Sequence, residues 1–214
     1  MPKRGLFITL EGTEGSGKST QARMLAERLL LEGFSVLESQ EPGGTPIGIQ
    51  IRRVLLDGAN KELSPTTELL LMFAARSQNV DQWIQPALAA GTIVVSDRFT
   101  DSTLAFQGAG RRLGRDLVMH VDAIACRGLK PDLTVCVTID LDVGLGRAQA
   151  RNAETQAIET RLDDEAIEFH KRARDEYLRL SREESNRFKI VSGVGTVDEV
   201  AANVWKLVAP LLHG

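Results

Sequence analysis

Five short runs of apolar, β-favouring residues recur along the 214-residue chain, and each is followed by a segment with apolar residues at helical spacing. Because these runs are short and bounded by turn residues, they predict buried strands. Strands that alternate with helices are typical of an α/β fold, in which right-handed crossovers cover a parallel sheet with helices on both faces. The predicted strands are residues 6–10, 34–38, 92–97, 133–140 and 187–193. The predicted helices are residues 19–31, 47–58, 66–85, 116–128, 163–182 and 197–212.

Length and composition narrow the class of protein. A chain of 214 residues fits a single domain, residues 1–214, and its 43% of apolar residues is ordinary for a soluble protein. The formal net charge of -3 gives no overall basic field, so we expect no nucleic-acid partner. No apolar run approaches the roughly 18 residues of a membrane span, so we expect no membrane partner. Cys126 and Cys136 lack C-x-x-C spacing, which favours buried free thiols and a cytoplasmic location.

The stretch after the first predicted strand matches the phosphate-binding pattern G-x-x-x-x-G-K-[ST], and a predicted helix follows it, as the motif requires. Its glycines allow the backbone N–H groups to turn towards an anion, and the helix directs its positive end at the same point. Lys18 can reach the β- and γ-phosphates, and the Ser19 hydroxyl can bind Mg²⁺. We therefore predict that the loop binds ATP. The residues predicted to hold it are Gly12, Thr13, Glu14, Gly15, Ser16, Gly17, Lys18, Ser19 and Thr20.

Binding a nucleotide leaves the activity open between a phosphotransferase with a small acceptor and a nucleotide switch such as a GTPase. A GTPase needs the guanine-reading pattern N-K-x-D and the switch pattern D-x-x-G. The nearest match, residues 60–63, has Leu63 where the base-reading aspartate should stand, and D-x-x-G does not occur. The sequence therefore favours a kinase, whose acceptor is a nucleotide, a nucleoside or another small molecule.

Two polar residues, Asp97 and Arg98, end the third predicted strand, at the sheet edge where α/β folds bind ligands. Asp97 can hold Mg²⁺ through water, and the planar guanidinium of Arg98 matches a phosphate group. The alternative is a structural ion pair at the end of a strand. The neighbouring phosphate loop favours the functional interpretation.

The predicted helix at residues 66–85 contains Met72, Phe73 and Arg76, which can share one face. An aromatic ring and an arginine can stack on a base and hydrogen-bond its edge. The spacing is equally typical of a core helix, and the residues alone leave both interpretations open. The helical stretches at 66–90 and 116–128 are apolar enough to belong either to the core or to a dimer face.

Residues 147–165 form the one break in composition, because they are polar, charged and poor in large apolar side chains. Such a segment is not expected in the core. Taken alone, it is typical of a solvated surface helix.

Several longer stretches resemble the bacterial thymidylate kinases, a family of P-loop nucleoside monophosphate kinases. They are LFITLEGTEGSGKSTQ, EPGGTPIG, TELLLMFAARSQ, DRFTDSTLAFQGAGR and PDLTVCVTIDLDVGLGRAQAR. The resemblance runs from residue 5 to about residue 180. It implies transfer of the ATP γ-phosphoryl group to dTMP, giving dTDP and ADP for dTTP biosynthesis. It also implies a P-loop NTPase fold with a five-stranded parallel sheet, Mg²⁺ as a cofactor and a homodimer.

The resemblance also implies roles for residues on the acceptor side. Arg98 would hold the dTMP phosphate, and Arg52 would be a second phosphate contact. Phe73 would stack on thymine beside Arg76, although Met72 occupies the position where relatives often have the aromatic residue. Further substrate contacts implied by the resemblance are Glu14, Glu41, Pro42, Thr103, Phe106 and Gln107.

In this family an arginine that stabilises the transferred phosphoryl group comes from the phosphate loop or from a mobile lid. The loop position concerned is Gly15 here, so the resemblance assigns this role to a lid at about residues 147–162. Arg151 is the predicted catalytic arginine, with Arg147 in support, and Arg161 lies in the same stretch. The catalytic set predicted from the sequence is Lys18, Arg98, Arg147 and Arg151.

Overall fold

A computed structural model describes residues 4–212, in which five strands form one parallel sheet. The strands are β1 (Phe7–Gly12), β2 (Val36–Gln40), β3 (Ile93–Asp97), β4 (Leu133–Thr138) and β5 (Phe188–Ser192). Their order across the sheet is β2-β3-β1-β4-β5. The predicted α/β fold and the predicted strands are confirmed. Residues 1–3 and 213–214, at the ends of the predicted domain, lie outside the described residues.

The described helices surround the sheet, and sequence signals explain several of their ends. Thr45 caps α2 by accepting a hydrogen bond from Gly48 N at 3.0 Å, and Thr196 forms a capping box with Glu199 at the start of α9. The helices are α1 (Lys18–Leu31), α2 (Pro46–Leu56), α3 (Pro65–Asn79), α4 (Gln85–Ala89), α5 (Thr100–Thr103), α6 (Arg115–Cys126), α7 (Leu141–Thr155), α8 (Ile167–Glu183) and α9 (Val197–Val208). Within residues 4–212, no helix is both long and apolar enough to cross a bilayer.

The structure differs from the predicted helices in three places. The helix predicted to reach Pro86 continues to Ala89, because a π-helical stretch at Val80–Ile84 places the proline in the first turn of α4, where its missing N–H is tolerated. Helical turns at residues 100–110 were not predicted, since this glycine-containing stretch shows no helical pattern. The helix α7 begins before the polar break and carries its first half.

The central strand β1 separates two buried layers, and its side chains alternate between them. Ile8 and Leu10 face the layer formed with α1 and α9, whereas Phe7 packs against Phe99 in the layer that holds the other aromatic residues. Residue 11 follows Phe7 by four positions and therefore points to the aromatic layer. The two cysteines are buried free thiols, as predicted.

Candidate active site

The loop that joins β1 to α1 requires glycine at two positions. The φ angle is +148° at Gly12 and +66° at Gly15, which side chains disfavour. An added Cβ would lie 2.2 Å from the carbonyl oxygen of Val137 at the first position and 2.0 Å from that of Gly144 at the second. Since α1 begins at Lys18, its unpaired amides point into the loop. Backbone shape and helix end together make a concave, electropositive cradle for an anion.

Some residues of the phosphate loop face the cleft, and others face the protein interior. Two buried hydroxyls, Thr13 Oγ1 and Ser16 Oγ, have no hydrogen-bond partner, and Gly12 is buried beside them. The predicted loop residues that line the cleft are Glu14, Gly15, Gly17, Lys18, Ser19 and Thr20.

The carboxylate of Glu14 lies between two cations from different elements. Its Oε2 atom is 3.7 Å from Lys18 Nζ, and its Oε1 atom accepts a hydrogen bond from Arg98 Nη2. Burial acts to raise the pKa of Glu14, but Lys18 and Arg98 outweigh burial and hold this pKa at about 2. Glu14 is therefore ionised at neutral pH and keeps both cations around one point of the cleft.

Asp97 meets the loop because β3 lies next to β1, with Asp97 in register with Leu10. Its Oδ1 atom is buried without a hydrogen-bond partner, and the residue lines the same cleft as Ser19. Among residues 4–212, no group of three or more His, Cys, Asp or Glu side chains could hold a metal by itself. An unpaired carboxylate oxygen and a hydroxyl beside a phosphate cradle fit Mg²⁺, which is commonly held by one or two protein ligands and by substrate phosphates.

The backbone holds Arg98 in an uncommon conformation. Its φ angle is +75°, a state that costs about 1–3 kcal/mol for a residue with a side chain. Two hydrogen bonds fix this turn, from Arg98 N to Leu10 O at 2.9 Å and from Ser96 Oγ to Arg98 O at 2.8 Å. The guanidinium lies 4.8 Å from the ring centre of Phe106. Backbone and ring together direct the arginine into the cleft.

Arg76 lies on the opposite wall and is only 2% exposed. Its Nε donates to Glu41 Oε2 at 2.6 Å, and its Nη1 donates to Thr103 Oγ1 at 3.0 Å. The guanidinium lies over the rings of Phe73 and Phe99, at 4.8 and 5.0 Å. It is therefore a rigid, buried hydrogen-bonding group at the cleft surface.

The prediction that Phe73 faces the substrate is wrong, because Phe73 is 2% exposed within the aromatic core and does not line the cleft. Met72 lines the cleft in its place. Around a helix, Met72 is about 40° from Arg76, whereas Phe73 is about 60° away on the other side. The cleft-facing side of α3 thus carries the thioether, and the ring supports Arg76 from beneath.

The other residues predicted on the acceptor side are brought together. Arg52 Nη1 donates to Pro42 O at 2.9 Å, and Arg52 Nη2 lies 2.7 Å from a carboxylate oxygen of Glu159. This arginine therefore joins the acceptor wall to the polar segment. The predicted acceptor residues that line the cleft are Glu14, Glu41, Pro42, Arg52, Arg76, Arg98, Thr103, Phe106 and Gln107.

The polar segment supplies two arginines to the cleft, Arg147 and Arg151, both on α7. The side chain of Arg151 is 55% exposed, and its Nη2 lies 3.1 Å from Asp163 Oδ2. The same oxygen accepts a hydrogen bond from Asn152 at 2.8 Å. Arg151 is thus tethered by a carboxylate but not buried.

The expectation that residues 147–165 lie outside the core is wrong for Ala148, which is fully buried, and for Arg161, which is only 6% exposed. Its Nε donates to Leu55 O at 2.5 Å, and its Nη1 donates to Glu68 Oε2 at 2.7 Å. The fully buried Glu68 also accepts from Gln107 at 2.7 Å and pairs with Arg111 at 3.0 Å. A charged side chain can enter the interior here because a buried carboxylate is there to pair with it.

Glu11 does not line the cleft but supports it from the interior, and the sequence did not identify it. Its carboxylate is fully buried and accepts from Phe99 N at 2.8 Å, from Tyr177 OH at 3.0 Å and from the hydroxyl of Ser102. Burial, with help from Asp101, raises the pKa of Glu11 to about 7. One feature of the sequence could have identified it. Glu11 lies four positions after Phe7 in a buried strand, so its side chain points to the same apolar face, where an acidic residue is unusual.

We expect Glu11→Gln to flatten the pH dependence of stability. The unfolded state releases the Glu11 proton near pH 4.5, whereas the folded state keeps it up to about pH 7. Its contribution to the free energy of unfolding is therefore complete below pH 4.5 and is lost as the pH rises to about 7, by about 3 kcal/mol. Urea unfolding at pH 5 and pH 8 measures this loss. The control is Glu62→Gln at an exposed position, whose free energy of unfolding should fall between pH 5 and pH 8 by as much as that of the parent. A fall of the same size in Glu11→Gln would contradict the expectation.

The cleft has a volume of about 560 Å³, within the range of small-molecule sites. On one side it carries the anion cradle with Lys18, and on the other the buried Arg76 with Met72. Arg98 lies between them beside Glu14. This arrangement can hold two anionic ligands that meet near one carboxylate.

Comparisons with known proteins agree with this geometry. The sequence profile described as thymidylate kinase matches residues 10–204. The chain is 49% identical over 199 residues to the thymidylate kinase of Pelobacter propionicus, covering 92% of this chain and 90% of that protein. It is 47% identical over 212 residues to the thymidylate kinase of Geotalea daltonii, covering 98% and 99% of the two chains. The crystal structure of thymidylate kinase from Ehrlichia chaffeensis superposes with a TM-score of 0.76 at 28% identity, covering 96% and 99% of the two chains. The chain therefore belongs to the thymidylate kinase family.

Proposed function

We propose that this chain carries out its family's reaction in the cleft described above, with ATP on the loop after β1 and dTMP against the wall that carries Arg76. The reaction transfers the γ-phosphoryl group of ATP to dTMP and gives dTDP and ADP. The observation that carries the proposal is that Lys18 and Arg98, each suited to a different nucleotide's phosphates, flank the single carboxylate of Glu14.

The donor is held by the backbone of the phosphate loop, and Lys18 contacts its β- and γ-phosphates. Ser19 and Asp97 would hold Mg²⁺, in keeping with the unpaired Oδ1 atom of Asp97. When bound, this ion would neutralise the charge that develops on the phosphates. The residues proposed to contact ATP are those from Gly12 to Thr20.

The acceptor phosphate binds Arg98, with Arg52 as a second contact, and the carboxylate of Glu14 lies beside the sugar and the phosphates. Arg76 donates to the base edge, since its Nε and Nη1 atoms are already fixed by Glu41 and Thr103. The remaining residues proposed at the acceptor are Met72, Pro42, Phe106 and Gln107.

Phosphoryl transfer needs alignment and positive charge rather than covalent help from the protein. We assign the transition-state role to Arg151 and a supporting role to Arg147, because Gly15 leaves the loop without a side chain there. Both arginines belong to a lid, residues 147–162, of a single domain. Closure of the lid over ATP excludes water and so limits wasteful hydrolysis.

A panel of nucleoside monophosphates tests the acceptor. We expect dTMP to be phosphorylated far faster than dCMP, AMP or GMP in a coupled assay of ADP release. Arg76 can donate to the O4 atom of thymine, whereas the amino group of cytosine leaves that donor unpaired. Comparable values of kcat/KM for dCMP and dTMP would contradict the assignment of Arg76. Phosphorylation of another acceptor alone would favour a different nucleotide or nucleoside kinase.

We also propose a cytoplasmic homodimer that forms through α3 and α6, two helices that pack side by side. Both expose large apolar side chains, with Leu70 54% exposed on α3, and Leu117 and Ile124 41% and 77% exposed on α6. Apolar side chains exposed together are typical of protein interfaces. The free thiols and the nucleotide substrates support the location.

A further inference from the structure

The guanidinium of Arg98 has a second set of contacts besides its pairing with Glu14. Its Nη1 donates to Ser102 Oγ at 2.9 Å, to Gly12 O at 3.2 Å and to Tyr177 OH at 3.4 Å. All three acceptors are neutral oxygen atoms. They fix the direction of Nη1 without cancelling the positive charge that an acceptor phosphate would meet.

Tyr177 comes from a distant part of the chain, in the middle of α8. It is 1% exposed and does not line the cleft, so it cannot contact a substrate directly. Its ring packs edge-on against Phe106, with centroids 6.2 Å apart, and that same ring lies 4.8 Å from the guanidinium of Arg98. Tyr177 therefore supports both the arginine and the ring beneath it.

The direction of the Tyr177 hydroxyl is determined by Glu11. When Glu11 is ionised, the hydroxyl donates its only proton to Glu11 Oε2 at 3.0 Å and can accept from Arg98 or from Ser102 Oγ, which lies 3.0 Å away, only through its lone pairs. Burial raises the pKa of Tyr177 well above its ordinary value, which keeps the hydroxyl a donor at neutral pH. Ser102 repeats the arrangement, because its hydroxyl donates to Glu11 and accepts from Arg98.

We propose that Tyr177 is a positioning residue for the acceptor phosphate, acting through Arg98 with Glu11 as its fixed partner. The inference rests on the phosphate-binding role proposed for Arg98. The helix α8 directly follows the polar segment that carries the lid arginines. Through Tyr177, the same helix also holds Arg98 in place.

The variant Tyr177→Phe tests this, because it removes one hydroxyl and keeps the ring. We expect the KM for dTMP to rise about fivefold, the scale of one hydrogen bond, while the KM for ATP and kcat stay within about twofold. The matched control is Thr100→Val, which removes a buried hydroxyl that donates to Asp122 at 2.6 Å and makes no hydrogen bond to Arg98. The control should leave the KM for dTMP unchanged even if both variants melt at a lower temperature.

A double-mutant cycle separates positioning from general loosening. Arg98→Lys should weaken dTMP binding, and adding Tyr177→Phe to it should change the KM for dTMP by less than about twofold, because the arginine it orients is gone. If the two substitutions raise the KM for dTMP independently, the role of Tyr177 is overturned. The same follows if the KM for dTMP in Tyr177→Phe is no higher than in Thr100→Val. Neither result would affect the role proposed for Arg98. An unchanged KM for dTMP in Arg98→Lys would overturn the role proposed for Arg98, and the inference with it.

If Tyr177→Phe does not fold, Glu11→Gln gives the same readout. Its amide nitrogen must donate to the hydroxyl of Tyr177, which turns the hydroxyl proton towards Arg98 and removes an acceptor. At pH 8, where Glu11 of the parent is ionised, the KM for dTMP should then rise while the KM for ATP does not, and no rise in this variant at that pH would overturn the proposal.

Discussion

Replacing Arg151 with alanine is expected to lower kcat by roughly 10³-fold or more, the scale at which arginines that stabilise a transferred phosphoryl group act. Arg151 lines the cleft from α7, and the glycine at position 15 offers no side chain that could take its place. Its tether to Asp163 is 3.1 Å long and leaves the side chain more than half exposed, so the guanidinium is held near the cleft and remains able to move. Release of ADP at saturating dTMP and ATP measures the effect.

The control is Arg174→Ala, which removes an arginine of similar exposure that pairs with Asp175 at 2.9 Å, outside the cleft. Its kcat should match that of the parent, since exposed ion pairs contribute little to stability. Turnover by Arg151→Ala close to the parent rate would show that another cation performs this role. Arg147 would then be the first to examine, because it also lines the cleft from α7.

The largest effect on stability is expected for Glu68→Ala, which should lower the free energy of unfolding by about 3–5 kcal/mol. Glu68 is fully buried and pairs with Arg161 at 2.7 Å and with Arg111 at 3.0 Å. Without its carboxylate, the guanidinium of Arg161 stays in the interior beside Leu55 with no counter-charge. Urea unfolding at pH 7 measures the loss.

Glu165→Ala is the matched control, because Glu165 pairs with the same Arg111, at 2.5 Å, with a side chain that is 27% exposed. We expect a cost near 1 kcal/mol, the upper end for pairs near the surface. If Glu68→Ala lowered the free energy of unfolding no more than this control, the buried contacts of Glu68 with Arg161 and Arg111 would not be what attaches the end of the polar segment to α3.

The fold followed from local patterns, and those patterns explain why it was predictable. The strands are short and apolar because both faces of a parallel sheet are covered, and β1 and β3 are buried at every position. The helix at residues 100–110 was missed because a short helical segment with glycines has no stripe of apolar residues to reveal it. The helix at residues 66–85 was predicted to stop before Pro86, because a proline usually ends a helix. Nothing in the sequence indicated the π-helical turn at Val80–Ile84 that lets the helix continue past it.

The site was predictable only where its chemistry is written in consecutive residues. The phosphate loop is such a case, because one turn supplies the whole cradle. The buried acidic partners are not, since Glu11 meets a tyrosine 166 positions later and Glu68 meets an arginine 93 positions later. In the sequence, both carboxylates look like ordinary polar residues. Their partners, Tyr177 and Arg161, become apparent only in the folded chain.

Met72, rather than an aromatic residue, forms the wall beside Arg76. A thioether on three rotatable bonds can change shape, so in the proposed acceptor site this wall would adapt to substituents of different size on a pyrimidine ring. Peroxide would convert the sulfur into a polar sulfoxide. If dTMP binds against this wall as proposed, oxidation of Met72 would change the surface that the base meets, whereas a phenylalanine at position 72 would not be open to this change.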